Sequence, residues 1–165
     1  GGIGKGFAAD RLARVLLDHG AAAAAVTIGG DTRIVGDARD GWPVGVEGWD
    51  DPIAWLIDGG FCFSSTAKRR WTIDGRDRHH IVDPRTGTSA AGGLRHVAVA
   101  AADATTAEVH ATAAVVAGWP DAVVHLEQAG LDGFVVTDDG EPHQFGRWPG
   151  NPPIFDLAAD GSRCE

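Results

Sequence analysis

Short turns rich in glycine and aspartate divide the first half of this chain, and they constrain its fold more than any other feature. Gly29-Gly30-Asp31, Asp58-Gly59-Gly60 and Asp74-Gly75 each stand between runs of apolar or β-branched residues. Such turns join adjacent antiparallel strands, because glycine and aspartate adopt positive φ angles at low cost. We therefore predict three β-hairpins, and Asp58-Gly59-Gly60 is the strongest of the three signals.

Helical patterns flank these strands. After the opening glycines, apolar residues recur at helical spacing on one face, and Gly20 follows as a C-terminal cap; they are Ala8, Leu12, Val15 and Leu16. Residues 105–117 and 121–129 also have helical patterns, and a strand is predicted before and after this pair. The pattern predicts an α+β fold, with a mixed or antiparallel β-sheet and flanking helices.

Length and charge limit what the chain can do. Its 165 residues suffice for one domain over 1–165, in which 138–165 are expected to be mostly loop or extension. The formal charge of −9 argues against a nucleic-acid-binding surface, and no apolar run is long enough for a membrane span. The chain does not begin with Met, so we expect it to be a fragment or a processed piece of a longer parent.

The opening GGIGKGFAAD has the glycines and lysine of a phosphate-binding loop. A Walker loop, however, requires Ser or Thr after its lysine, and Gly6 follows Lys5. We interpret the segment as a turn that leads into a helix, whose N-terminus is a favourable place for an anion.

A histidine pair stands beside a rigid turn in RDRHHIVDPRTG, residues 76–87. In a strand, His79 and His80 point to opposite sides, so at most one of them faces a given site. Histidine is the natural general base near neutral pH. The segment from Asp83 to Gly87 is typical of a turn in which Asp83 accepts backbone hydrogen bonds.

Two further segments leave alternatives open. Glu108 and Thr112 lie four residues apart on one helix face and could ligate magnesium, but Thr105 and Glu108 also fit a capping box, which the residues alone favour. Ser64-Ser65-Thr66 precede Lys68-Arg69-Arg70, a pattern that fits either a phosphate cradle or a solvated strand end.

In this order the segments resemble the ApbE family of flavin transferases, which use FAD to place FMN covalently on protein threonines. The matching segments are GGIGKGFAAD, the GGD at 29–31, the SST at 64–66, HHIVDPRTG at 79–87 and AEVHATAA at 107–114. HHIVDPRTG is the most specific of them. Family members also carry an N-terminal half, so the resemblance implies that this chain is the C-terminal portion of a longer parent.

The resemblance implies roles for individual residues. It implies that His80 activates the acceptor threonine. The implied FAD-binding residues are Lys5, Asp31, Ser65, Thr66 and Val82. The implied magnesium ligands are Glu108, Thr112 and the backbone carbonyl of Gly2. Most family members have aspartate where this chain has Glu108.

The implied activity is magnesium-dependent transfer of FMN from FAD to a threonine hydroxyl of an acceptor protein, with release of AMP. The alternative is an FAD-binding remnant, or an FAD pyrophosphatase without transferase activity. FAD and the acceptor protein are the expected partners, and the compartment is left open between the cytoplasm and the cell envelope.

Overall fold

An eight-stranded β-sheet forms the centre of the structure, a computed structural model that describes residues 2–37, 40–45, 52–146 and 148 and the backbone of 154–156. The helices are α1 (Gly4–Asp18), α2 (Ala104–Ala117) and α3 (Asp121–Gln128). The strands are β1 (Ala23–Ile28), β2 (Asp31–Gly36), β3 (Trp42–Val44), β4 (Ala54–Ser65), β5 (Arg70–Ile73), β6 (Arg76–His79), β7 (Val82–Asp83), β8 (Thr88–Ser89), β9 (Leu94–Ala101), β10 (Asp132–Thr137), β11 (Pro142–Phe145) and β12 (Ile154–Asp156).

The strand order in the sheet is β1-β2-β4-β9-β10-β11, and β3 and β12 pair with β4. The pairs are antiparallel except for β4 with β12, which is parallel. Two short ladders, β5–β6 and β7–β8, lie apart from this sheet. The predicted class, an α+β fold with a mixed or antiparallel sheet and flanking helices, is confirmed.

The central strand β9 is buried on both faces. Its alternate residues Val97 and Val99 pack in a core with the alanines of α2, while Ala98 and Ala100 pack in a second core with Phe61. Alternation of side chains along a strand explains why one apolar run supplies two cores. The sheet thereby forms a rigid support for α1 and α2, whose N-termini carry the site.

The predicted hairpin at Asp58-Gly59-Gly60 is wrong, because β4 continues straight through it. A Cβ on Gly60 would lie 2.1 Å from the carbonyl carbon of Asp103, just before α2. Glycine is therefore needed here for close approach of two backbones, which is the other common reason for glycine within a strand.

The other two hairpins are confirmed. The loops have positive φ at both residues, with 57° and 96° at Gly29 and Gly30 and 50° and 69° at Asp74 and Gly75. Two consecutive positive φ angles are the signature of the two-residue turn that suits the twist of paired strands.

Helix α1 buries a different face from the predicted one. Gly6, Ala9 and Ala13 are buried, whereas Leu12 and Val15 are 50% and 46% exposed. A Cβ on Gly6 would lie only 2.3 Å from the carbonyl oxygen of Ala104. The close crossing of α1 over α2 thus selects the smallest residues for the contact, whatever their hydrophobicity.

The helices predicted at 105–117 and 121–129 are confirmed to within one residue. In the stretch 138–165, expected to be mostly loop or extension, β11 and β12 are strands of the main sheet. No helix in the described part of the chain is long and apolar enough to cross a bilayer.

Candidate functional site

Each of the helices α1 and α2 carries a carboxylate that accepts hydrogen bonds from the N-terminus of the other helix. Glu108 Oε2 on α2 accepts a hydrogen bond of 2.8 Å from the backbone N–H of Gly6 in the first turn of α1. Asp10 on α1 accepts bonds of 2.9 Å each from the N–H groups of Ala104 and Thr105 in the first turn of α2. First-turn N–H groups have no partner within their own helix, and a negative charge there also interacts favourably with the helix dipole.

The N-cap residue of α2 is Asp103, whose side chain accepts a hydrogen bond of 2.7 Å from the N–H of Thr106. The capping box proposed for Thr105 and Glu108 is therefore wrong. Glu108 is therefore not needed to cap its own helix, and its carboxylate accepts a hydrogen bond from α1 instead.

Glu108 is a buried acid with one oxygen left for a further partner. The residue is 1% exposed, and its Oε1 lies 3.0 Å from Lys5 Nζ in an ion pair. The geometry of that contact is not that of a hydrogen bond, and Oε1 has no hydrogen-bond partner among the described residues. Within the described part of the chain, Oε1 therefore has an ion pair but no hydrogen bond, and a carboxylate oxygen has further lone pairs with which it can bind a ligand.

Lys5 lies between two buried carboxylates. Its ammonium group forms an ion pair with Asp31, the first residue of β2, as well as with Glu108. Burial lowers the pKa of Lys5, but its contacts with Asp31 and Glu108 and their negative charges outweigh that effect and raise it, so the side chain stays protonated. Burial raises the pKa of Asp31, and the nearby Lys5 opposes this increase.

The Gly29-Gly30 turn makes room for this lysine. A Cβ at Gly29 would lie 3.0 Å from Lys5 Cδ. Asp31 directly follows this turn as the first residue of β2, where it is 1% exposed. The GGD segment therefore positions Lys5 in two ways, by the space at its first glycine and by the charge at its aspartate.

The three residues implied as magnesium ligands converge in the structure. Thr112 follows Glu108 by one helical turn, and a Cβ on Gly2 would lie 3.2 Å from Thr112 Oγ1. A carboxylate, a hydroxyl and a backbone carbonyl are the hard oxygen donors that magnesium prefers. Glu108 Oε1, which has no hydrogen bond among the described residues, fits this interpretation, although those residues hold no cluster of three or more His, Cys, Asp or Glu side chains suited to a metal.

The two adjacent histidines have opposite environments, as expected for neighbouring residues at a strand end. His79 is 8% exposed, and its Nε2 lies 2.8 Å from the carbonyl oxygen of Ala90. The backbone N–H of Ile81 donates to His79 Nδ1 at 3.3 Å, so Nε2 carries the proton. His79 is thus a structural histidine.

His80 is exposed, and no described residue forms a hydrogen bond with its ring. Burial of part of the ring, followed by the charges of Arg69, His79 and Lys5, lowers the pKa of His80 below its usual 6.5. The ring is therefore neutral near pH 7 and can accept a proton.

The predicted turn after the histidines is confirmed. Asp83 Oδ1 accepts a hydrogen bond of 2.9 Å from the N–H of Arg85, and the Asp83 carbonyl accepts one of 2.8 Å from Gly87. Hydrogen bonds from Arg85 also lower the pKa of Asp83. Val82, immediately before the turn, is 51% exposed on the surface.

The hydroxyls of Ser65 and Thr66 are used within the protein. Ser65 Oγ accepts from the N–H of Ala67 at 3.1 Å, and Thr66 Oγ1 donates to the carbonyl of Leu94 at 3.0 Å. Neither residue forms a hydrogen bond with the Lys5–Glu108 cluster within the described ranges. The structure therefore brings together Lys5, Asp31, Glu108, Thr112 and Gly2, but it does not join Ser65 or Thr66 to them.

Two clefts flank these residues. One of about 560 Å³ is bordered by Phe7, Asp10 and Arg33, and another of about 200 Å³ is bordered by Thr66 and His79. Lys5, Glu108 and His80 line neither of them. The cluster thus lies outside both clefts.

Sequence reasoning missed Gly6 and Asp10. Their partners Glu108 and Ala104 are 102 and 94 residues away along the chain. No local pattern marks such a pair, because it depends on how α1 crosses α2.

The model of the ApbE family matches residues 1–135. The chain is 28% identical to an FAD:protein FMN transferase of Escherichia coli (strain K12) over 88% of this chain and 43% of the relative. It is 30% identical to an FAD:protein FMN transferase of Treponema pallidum over 84% of this chain and 43% of the relative. The chain therefore spans less than half the length of these relatives.

The crystal structure of the ApbE protein from Thermotoga maritima has the same fold. It superimposes with a TM-score of 0.75 and is 34% identical, over 87% of this chain and 50% of the other.

Proposed function

The chain belongs to the ApbE family, and on this premise we propose that it transfers FMN from FAD to a threonine hydroxyl of an acceptor protein and releases AMP. The names of the relatives support FAD as the donor and a protein as the acceptor. The observation that carries the proposal is the buried Glu108, whose Oε1 has an ion pair with Lys5 but no hydrogen bond among the described residues, one helical turn from Thr112.

His80 acts as the general base in this proposal. It takes the proton from the threonine hydroxyl, and the freed oxygen attacks the phosphorus on the FMN side of the FAD pyrophosphate. The bond from that phosphorus to the bridging oxygen breaks, and AMP leaves. The lowered pKa of His80 supports this role, because it keeps the ring unprotonated near neutral pH.

Glu108, Thr112 and the Gly2 carbonyl are the residues that would hold magnesium, which would supply positive charge to offset the charge that develops during transfer. The capping bond from the Gly6 N–H fixes one Glu108 oxygen at 2.8 Å. The carboxylate is thereby oriented before any ligand binds, and such preorganisation reduces the cost of ordering a site.

Lys5 contributes a positive charge at the N-terminus of α1. It remains protonated between Asp31 and Glu108, and it is 42% exposed at the side chain. A cation next to first-turn N–H groups is suited to bind phosphate oxygens. Ser65, Thr66 and Val82 remain proposed flavin contacts, with Val82 the most exposed of the three.

The test is to incubate the protein with FAD, magnesium chloride and a threonine-bearing acceptor protein. The acceptor is then weighed by mass spectrometry and AMP is quantified by chromatography. The proposal predicts a mass increase of one FMN less water, with one AMP released per transfer, and loss of both on chelation. AMP without any mass increase would identify a pyrophosphatase.

A further inference from the structure

We propose that one face of the β5–β6 hairpin is the docking surface for an acidic segment of the acceptor protein. We call this face the hairpin surface, and its residues are Trp71, Ile73, Arg76 and Arg78. The inference rests on the proposed function, since it names the chemistry of the partner of that same site.

The register of the hairpin defines this surface. Trp71 pairs with Arg78 and Ile73 with Arg76, so these four side chains share one face. The other face carries Arg70, Thr72 and Asp77, which are exposed, and His79, which is buried. The hairpin surface is therefore the face that combines the two large apolar side chains with two arginines.

The hairpin surface is cationic, with Arg76 exposed and Arg78 half-buried. Trp71 and Ile73 are 45% and 55% exposed, and they lie on the same face as the two arginines. Neither Arg76 nor Arg78 forms an ion pair or hydrogen bond within the described residues. Residues 68–79 carry five cations against two aspartates, although the whole chain has a formal charge of −9.

This surface leads to the proposed base. Side chains alternate along a strand, so Arg76 and Arg78 share one side of β6, and His80 directly follows the last residue of this strand. At about 3.3 Å per residue, the Cα atoms of Arg78 and Arg76 lie roughly 7 and 13 Å from that of His80. An extended acceptor segment has the same rise per residue. Its acidic side chains would therefore lie about two and four residues from the threonine presented to His80.

Charge complementarity and the apolar pair together favour a protein partner. Arginine and tryptophan are the residues most enriched where binding energy concentrates in protein interfaces. An acidic peptide neutralises Arg76 and Arg78, while its apolar side chains cover Trp71 and Ile73. Exposed charges of this kind increase the rate of association, and added salt weakens their effect by screening.

The test uses two fluorescein-labelled peptides that contain a threonine. One has glutamates two and four residues from the threonine, and the other has glutamines there. Binding is measured by fluorescence anisotropy at low and high salt. We expect the glutamate peptide to bind more tightly, with an affinity that falls as salt rises.

The variant R76A/R78A should weaken binding of the glutamate peptide by about tenfold, the effect expected from losing two exposed ion pairs. The matched control R11A/R14A removes the same charge from α1 and should change the affinity by less than about twofold. Equal affinity for both peptides, or for R76A/R78A and the unsubstituted protein, would overturn the docking surface.

Two further measurements separate the outcomes. Loss of FAD binding in R76A/R78A with unchanged peptide binding would assign the surface to the flavin and overturn the inference. Loss of binding to anionic vesicles, again with unchanged peptide binding, would assign it to membranes and also overturn it. If the unsubstituted protein releases no AMP from FAD but still selects the glutamate peptide, the proposed function fails while the acidic docking surface stands.

Discussion

Substitution of Glu108 separates its structural role from its chemical role. In Glu108→Gln the amide oxygen can still accept the 2.8 Å hydrogen bond from Gly6, and Lys5 keeps its ion pair with Asp31. In Glu108→Ala the buried N–H of Gly6 loses its partner. An orphaned buried donor costs about 1–3 kcal/mol, so we expect the alanine variant to lose about 2 kcal/mol of unfolding free energy and the glutamine variant less than about 1 kcal/mol.

The assay is thermal unfolding followed by circular dichroism, with and without magnesium chloride. For a domain of this size, 1 kcal/mol changes Tm by about 2–4 °C, so Glu108→Ala should lower Tm by about 4–8 °C. Magnesium should raise the Tm of the unsubstituted protein, because a ligand that binds only the folded state stabilises it. It should leave the Tm of Glu108→Gln unchanged.

The rate of FMN transfer should fall in Glu108→Gln by more than about a hundredfold. Substitution of a residue that only supports a metal ligand already costs about 10–100-fold in metal affinity or activity. The exposed Glu127→Gln on α3 is the control and should change neither stability nor transfer. The reasoning is refuted if Glu108→Gln transfers FMN at the unsubstituted rate, or if it still shows the magnesium-dependent increase in Tm.

Three further predictions follow from individual contacts. Because the pKa of His80 is lowered, the transfer rate should rise with pH through a midpoint below 6.5 and then stay level. A rate that falls between pH 5 and 7 would contradict this. His80→Gln should reduce the transfer rate by at least about a hundredfold without changing the affinity for FAD. Gly60→Ala should lose about 3 kcal/mol in urea unfolding, because its Cβ would lie 2.1 Å from Asp103, whereas Gly45→Ala, with open space around it, should lose less than about 1 kcal/mol. Asp10→Ala should lose about 2 kcal/mol in the same assay because two N–H groups of α2 lose their acceptor, and an unchanged midpoint would exclude the capping role.

The sequence predicted those parts of the fold that depend on local geometry. Turns such as Asp74-Gly75 demand positive φ at both positions, and few residues other than glycine, asparagine and aspartate tolerate it. Glu108 and Thr112 share a face in any helix, whatever surrounds them. These features could therefore be predicted from the sequence alone.

The remaining features depend on contacts between distant segments. Glycines at Asp58-Gly59-Gly60 look like a turn, yet the approach of Asp103 is what excludes a side chain at Gly60. Helix α1 presents a larger apolar face elsewhere, but the crossing with α2 accepts only residues as small as Gly6 and Ala9.

The candidate site shows the same division. The roles implied by the ApbE resemblance placed Gly2, Glu108 and Thr112 in one set, and the structure brings these residues together. The bond between Glu108 and Gly6 was not predictable, because it joins residues 102 positions apart. For the same reason the residues alone favoured a capping box that Asp103 makes unnecessary.

Flavin transfer itself is the most direct test of the account. The protein and its Glu108→Gln variant would each be incubated with FAD, magnesium chloride and a threonine-bearing acceptor protein, and the acceptor would be weighed by mass spectrometry. The account predicts that the unsubstituted protein adds one FMN less water to the acceptor and releases AMP, and that the variant does neither. Equal addition of flavin by both proteins, or no AMP and no flavinylated acceptor with either, would contradict it.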